Sequence, residues 1–249
     1  MLAFFFFDPM YFIILAPGMI LAFWAQARVK SAYAAAQQRR VSSGLSGAEA
    51  ARHILDSHGL TQVGIEPARG FLGDHYDPRK RVLRLSPEVY QGRNLAAVGI
   101  AAHESGHALQ DSAGYAPLQI RNAVVPLASF GSRSSIFIFM IGMFLSWQTA
   151  RPINGVMTWG VGQYIMVAAL VLFTVGVFLQ LINLPVEYNA SARARQVLVS
   201  TGIIAPGEEQ PVDKVLSAAA LTYVAATLSA ILTLLYLLMR SGLLGGRRS

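Results

Sequence analysis

From Tyr164 to Leu184, and again from Ser217 to Met239, the chain carries no charged residue. Each run exceeds the ~20 helical residues that cross the hydrocarbon core of a bilayer. Backbone groups in lipid must be satisfied within the segment, so such runs fold as membrane helices. A third apolar run, from Met10 to Ala27, is extended upstream by Phe4 to Phe7. Asp8 precedes it, whereas Arg28, Lys30, Arg39 and Arg40 follow it. That is the reverse of a signal peptide, whose basic residues come first. The run therefore reads as an uncleaved helix with its N-terminus outside. The remaining stretch, 134–150, is barely long enough to span. The segment before it, 117–132, is apolar but interrupted by Pro126 and Gly131. It is expected to form a separate helix lying on the site or in the interface.

Composition supports a membrane protein: 54% of residues are hydrophobic and 13% charged, against about a quarter charged in soluble domains. The net charge of +7 is read as topological, because the basic residues cluster beside apolar runs. No nucleic-acid partner is expected. Thirteen of the twenty basic residues fall in 28–133, which places that segment in the cytoplasm, with 185–216 on the same side. The organisation that follows is mainly α, with about four transmembrane helices. It has an N-terminal membrane helix (1–27), a sizeable segment outside the membrane (28–133) and two membrane helices (134–184). A helix-bearing loop (185–216) and a last membrane helix with its tail (217–249) complete it.

Within 28–133, Ser46 caps a helix, 62–87 reads as short strands, and Ser86-Pro87 starts a short helix with serine as cap. Asn94 caps the next helix, which Gly114 ends. That helix contains His103-Glu104-Ser105-Gly106-His107. Histidines four apart share one helix face and can ligate one zinc ion. Glu104 lies about 100° around the helix. From there it can take a proton from a water that the ion acidifies, which suits attack on a peptide carbonyl. The chain has no cysteine, so further ligands must be histidine, carboxylate or water.

Asp111 follows on the same helix, but an unbroken helix carries it about 12 Å along the axis from His103. It is read as supporting the site or lying at the surface. His53, His58 and His75 stay open as third ligands. Glu187 is the better candidate: it follows the 164–184 run directly, where a carboxylate is costly unless paired or ligated. Asn189 is a weaker ligand, and Ser191 lies one turn beyond Glu187. Arg193 and Arg195 read as solvated or lipid-facing charges.

Together, "AAVGIAAHESGHALQ", "DHYDPRKRVLRLSPEVYQGRNLAAV" and "NLPVEYNASARAR" resemble the YugP-like membrane zinc metallopeptidases of bacteria, and more distantly the Ste24/HtpX-type gluzincins. The resemblance covers nearly the whole chain. It implies a small zincin-like α+β catalytic segment carrying HExxH, with one Zn2+ per chain on His103, His107 and Glu187, and Glu104 as the base. It also implies a multi-pass protein of the bacterial cytoplasmic membrane. The distant relatives carry aspartate where Ser191 stands, and the nearer ones commonly carry aspartate where Asn189 stands. Both replacements remove a negative charge beside the metal. They bear on how the histidines are held, with Asn189, Ser191 and Asp111 the residues in question.

The stretch Asp74 to Pro78 is either a turn with solvated charges or places His75 or Tyr76 where they contact substrate or the oxyanion. The strand after it, "KRVLRL", is expected to pair with an extended substrate. The resulting expectation is a membrane zinc endopeptidase that acts on membrane or membrane-adjacent polypeptides, alone, as a homo-oligomer or with a partner membrane protein. The rival is a catalytically silent scaffold with a structural zinc site. A transporter is disfavoured, since the two longest runs lack charged residues.

Overall fold

The computed structural model describes residues 8–68, 73–149, 152–153, 156–157 and 159–242. The aromatic run at 4–7 and the GGRRS tail lie outside the described residues. The elements are α1 (Pro9–Gln37), α2 (Gly47–Ser57), β1 (Gly64–Pro67), β2 (His75–Asp77) and β3 (Val82–Leu85). They continue with α3 (Pro87–Gln91), α4 (Leu95–Ser112), α5 (Ala116–Thr149), β4 (Pro152–Ile153), β5 (Val156–Met157), α6 (Val161–Ser200) and α7 (Glu209–Arg240). Among the described residues, α1, α5, α6 and α7 are long and apolar enough to cross a membrane.

Two of these helices differ from the sequence reading. The expected break at Pro126 and Gly131 is absent, and α5 is one helix of 34 residues. Likewise α6 runs without interruption through Pro185 for 40 residues. A proline removes one backbone donor, a loss that long membrane helices absorb through neighbouring groups and local adjustment. The chain divides into two compact units, and each of the four long helices contributes residues to both.

The first unit comprises residues 1–21, 120–182 and 225–249. Its core gathers Leu15, Phe139, Met166, Leu170, Phe173, Tyr236 and Leu237. Ile13, Ile20, Phe137 and Val171 are exposed, the pattern of helices whose outer faces meet lipid. Asp8 is buried at the start of α1, where its carboxylate accepts from the Met10 N–H at 3.0 Å. The Tyr236 hydroxyl donates to the same carboxylate at 3.1 Å.

The second unit comprises residues 22–119 and 183–224. Its core joins α2 (Ile54, Leu55), β3 (Leu83, Leu85) and α4 (Leu95, Val98) to Leu198 of α6 and Val212 of α7. The sheet is mixed, in the order β1-β3-β2, with β1 parallel and β2 antiparallel to β3. The strand carrying "VLRL" is thus the middle one, paired on both sides. It has no edge to offer a substrate, contrary to the reading of the sequence; the outer strands are β1 and β2.

Ser46 caps α2 as the sequence predicts. Its hydroxyl accepts from the Glu49 N–H at 3.3 Å, while Glu49 accepts from the Ser46 N–H at 2.7 Å. Arg93 also holds Glu49, at 2.8 Å. These bonds keep the Glu49 carboxyl down at about 2, with the Ser46 N–H the largest cause. Ser46→Ala is expected to destabilise the protein by about 1 kcal/mol, read as a lower urea midpoint with unchanged slope. An unchanged midpoint would mean that solvent replaces the hydroxyl.

Ser86 does not cap α3, although Pro87 does take the first helical position. Its N–H and hydroxyl instead donate to the Asp74 carboxylate, at 2.7 and 3.0 Å. A tertiary acceptor has captured the serine.

Candidate metal centre

The site is built on α4, whose entry and exit are both fixed. Asn94 caps its start by accepting from the Ala97 N–H at 2.9 Å. Gly114 follows its end in the left-handed region at φ +63°, where glycine has no steric cost. Small residues on α4 let α6 come close. At Gly106, an added Cβ would lie 2.7 Å from the Ala190 carbonyl oxygen. That approach brings Glu187, three residues before Ala190 on α6, against the two histidines.

His103 Nε2 lies 3.2 Å from Glu187 Oε2, and His107 Nε2 lies 3.6 Å from the same oxygen. One donor atom from each residue can be chosen so that all lie within 4.8 Å of one another. Ligand bonds of ~2.0–2.1 Å in a tetrahedron place donors about 3.4 Å apart, so the imidazole–carboxylate distances of 3.2 and 3.6 Å suit zinc, as does the donor chemistry. Glu187 is 2% exposed. A carboxylate buried so completely is costly without partners, and His103 Nε2, at 3.2 Å, is within hydrogen-bonding reach of it.

The histidines' other nitrogens are also engaged. His103 Nδ1 lies 3.2 Å from the Ser191 hydroxyl, and His107 Nδ1 lies 3.0 Å from Gln110 Oε1. The imidazoles are thus held from behind with their Nε2 atoms turned toward Glu187. Outer hydrogen bonds of this kind are what orient a ligating histidine.

Glu104 is buried beside the cluster and accepts from the Tyr76 N–H at 3.1 Å. Burial pushes its carboxyl up to about 7; nearby Glu187 adds to this and His103 opposes it.

The whole pattern matches a known group. Residues 11–242 fit the family described as "Putative neutral zinc metallopeptidase". The chain belongs to this zinc metallopeptidase family. It is 48% identical over 219 residues to the "Putative membrane protease YugP" of Bacillus subtilis (strain 168), covering 88% of this chain and 91% of that protein. No solved structure matches.

In this zinc metallopeptidase family member, the other residues singled out from sequence fall in distinct places. Asn189 accepts from Gln110 Nε2 at 3.0 Å and so touches the centre through Gln110. Asp111 accepts from the Tyr76 hydroxyl at 2.9 Å. Tyr76 therefore bridges two points on α4, through its N–H to Glu104 and its phenol to Asp111. Burial first, and then Asp111, raise that phenol well above its ordinary range, so it stays a neutral donor. His75 is exposed, with Nδ1 2.7 Å from the Gly73 carbonyl and Nε2 3.4 Å from Arg84. Arg84 donates to Asp77 at 3.0 Å and holds that carboxyl below the usual range.

His58 lies at the end of α2, its Nδ1 2.9 Å from the Ile54 carbonyl. His53 lines an open groove with Glu49, Arg52 and Tyr90. Among the described residues, the grouped metal-type donors are His103, His107 and Glu187. The two arginines expected to be solvated or lipid-facing both have protein partners: Arg193 donates to Asn189, and Arg195 pairs with Asp213. Sequence reasoning missed Gln110. Its signal was its place seven residues after His103 and three after His107, on the face that carries both.

Proposed function

We propose that this chain is an integral membrane zinc endopeptidase that hydrolyses peptide bonds in membrane or membrane-adjacent polypeptides. The carrying observation is the convergence of two imidazole nitrogens on a buried carboxylate, at 3.2 and 3.6 Å, with a second buried carboxyl beside them. His103, His107 and Glu187 would hold the ion. When bound, zinc supplies Lewis acidity that polarises a carbonyl and acidifies water.

The chain's own residues do the rest. Glu104 takes the proton from the attacking water and passes it to the leaving amine. The Tyr76 N–H fixes the carboxylate's orientation at Oε2. This N–H belongs to the edge strand β2, which it ties to the HExxH helix at Glu104. The α+β segment with its HExxH helix is zincin-like in this reading. The bias of basic residues toward 28–133 supports a cytoplasmic active site in the bacterial inner membrane.

The test is hydrolysis of an unfolded membrane polypeptide by the full chain in detergent. Chelation is expected to abolish cleavage, and added Zn2+ to restore it. Cleavage that survives complete removal of zinc would defeat the proposal.

A further inference from the structure

We infer that Gln110, held in place by Asn189 and Arg193, presets His107 to receive the zinc ion. The inference deepens the zinc reading above and rests on it. Gln110 is 0% exposed, and its amide offers an oxygen acceptor and two N–H donors. Its Nε2 faces two oxygens of α6, the Val186 carbonyl at 2.8 Å and Asn189 Oδ1 at 3.0 Å. The Val186 carbonyl can only accept. Asn189 Oδ1 is fixed as an oxygen by Arg193 Nε, which donates to it at 2.9 Å.

The amide nitrogen of Gln110 must therefore face α6. Turning it over would set its oxygen against two acceptors, leaving donors and acceptors unmatched. Gln110 Oε1 is left facing His107 Nδ1 at 3.0 Å, and that contact is a hydrogen bond only if Nδ1 carries the proton. A neutral imidazole has one N–H. In the neutral ring, the form that ligates a metal, the Nε2 of His107, turned toward Glu187, thus holds the lone pair the ion needs.

His103 differs. Its Nδ1 faces the Ser191 hydroxyl at 3.2 Å, and a hydroxyl donates or accepts as required. His103 can hold its proton on either nitrogen, whereas His107 is committed to one. The positioning chain runs from Arg193 through Asn189 and Gln110 to His107, and an acceptor at position 189 is all it requires there.

The test uses the full chain in detergent with 15N-labelled histidine, stripped of metal and then titrated with Zn2+. His107, assigned by the signal lost in His107→Gln, is expected as the Nδ1–H tautomer before zinc is added. Gln110→Leu and Asn189→Leu are expected to erode that preference and weaken zinc binding about 10–100-fold. Asn189→Asp, which keeps the acceptor, is expected to retain both. Because Gln110 is fully buried, the Asn189 pair provides the decision if Gln110→Leu does not fold.

The Nε2–H tautomer in the wild type would overturn the inference. So would a folded Asn189→Leu with unchanged tautomer and affinity. A wild type that shows the Nδ1–H tautomer but takes up no zinc contradicts the zinc reading itself. Unchanged affinity in the variants of a zinc-binding wild type contradicts the role of Gln110 alone.

Discussion

Glu104→Gln is expected to lower peptide hydrolysis by about 10³-fold, the scale of losing a positioned general base, while bound zinc stays at the wild-type level. The reason is geometric. Glu104 accepts from the Tyr76 N–H at 3.1 Å, and the grouped donors are His103, His107 and Glu187. The glutamine side chain has nearly the same volume and keeps an oxygen for the Tyr76 N–H, so β2 and α4 stay together. It cannot take a proton from water. Paired measurements of kcat/KM and of zinc per chain separate the roles. Loss of zinc together with activity would make Glu104 a ligand, and retained activity would remove it from the chemistry.

The second large effect concerns packing. Gly106→Val is expected to cost about 1–3 kcal/mol by overpacking and to weaken zinc binding sharply. A Cβ at position 106 would meet the Ala190 carbonyl oxygen at 2.7 Å and its carbonyl carbon at 3.3 Å. These are backbone atoms of α6, so no side chain can swing aside. The helices must separate, and Glu187 moves with Ala190 away from the histidines. Ser105→Ala is the control on the same helix. Ser105 is buried, but its hydroxyl bonds back to the Ala101 carbonyl, at 2.8 Å, within α4. Equal zinc affinity in wild type and Gly106→Val would show that the helix approach does not set the centre.

Much of this arrangement was legible in the chain because its signals are local. The apolar runs announced the helices by length alone. The two histidines were readable from their spacing, and Glu187 from the cost of a carboxylate just after an apolar run. Ser46 and Asn94 capped where helix chemistry says they should. What could not be read depends on partners distant in sequence. Pro126 and Pro185 signal breaks by local rules, yet both lie inside long helices. Ser86 has the composition of a cap, but Asp74 claims its hydroxyl. The order β1-β3-β2 turned the expected substrate strand into the central one. Gln110 carries no such signal, because metal sites announce themselves through histidine and carboxylate, and this glutamine stands behind His107 rather than among the grouped donors.

The absence of aspartate at 189 and 191 has an explanation in the same terms. Ser191 and Gln110 hold the two histidines through neutral groups. A carboxylate behind a ligating histidine raises its basicity, and neutral partners orient the ring without that gain.

The measurement that tests the central claim most directly is zinc per chain, by elemental analysis of protein purified in detergent with zinc supplied and excess removed. The three-residue centre predicts one zinc in the wild type and in Glu104→Gln, and loss in His107→Ala and in Glu187→Ala. Zinc retained at one per chain in Glu187→Ala, or no zinc in the wild type, would contradict it.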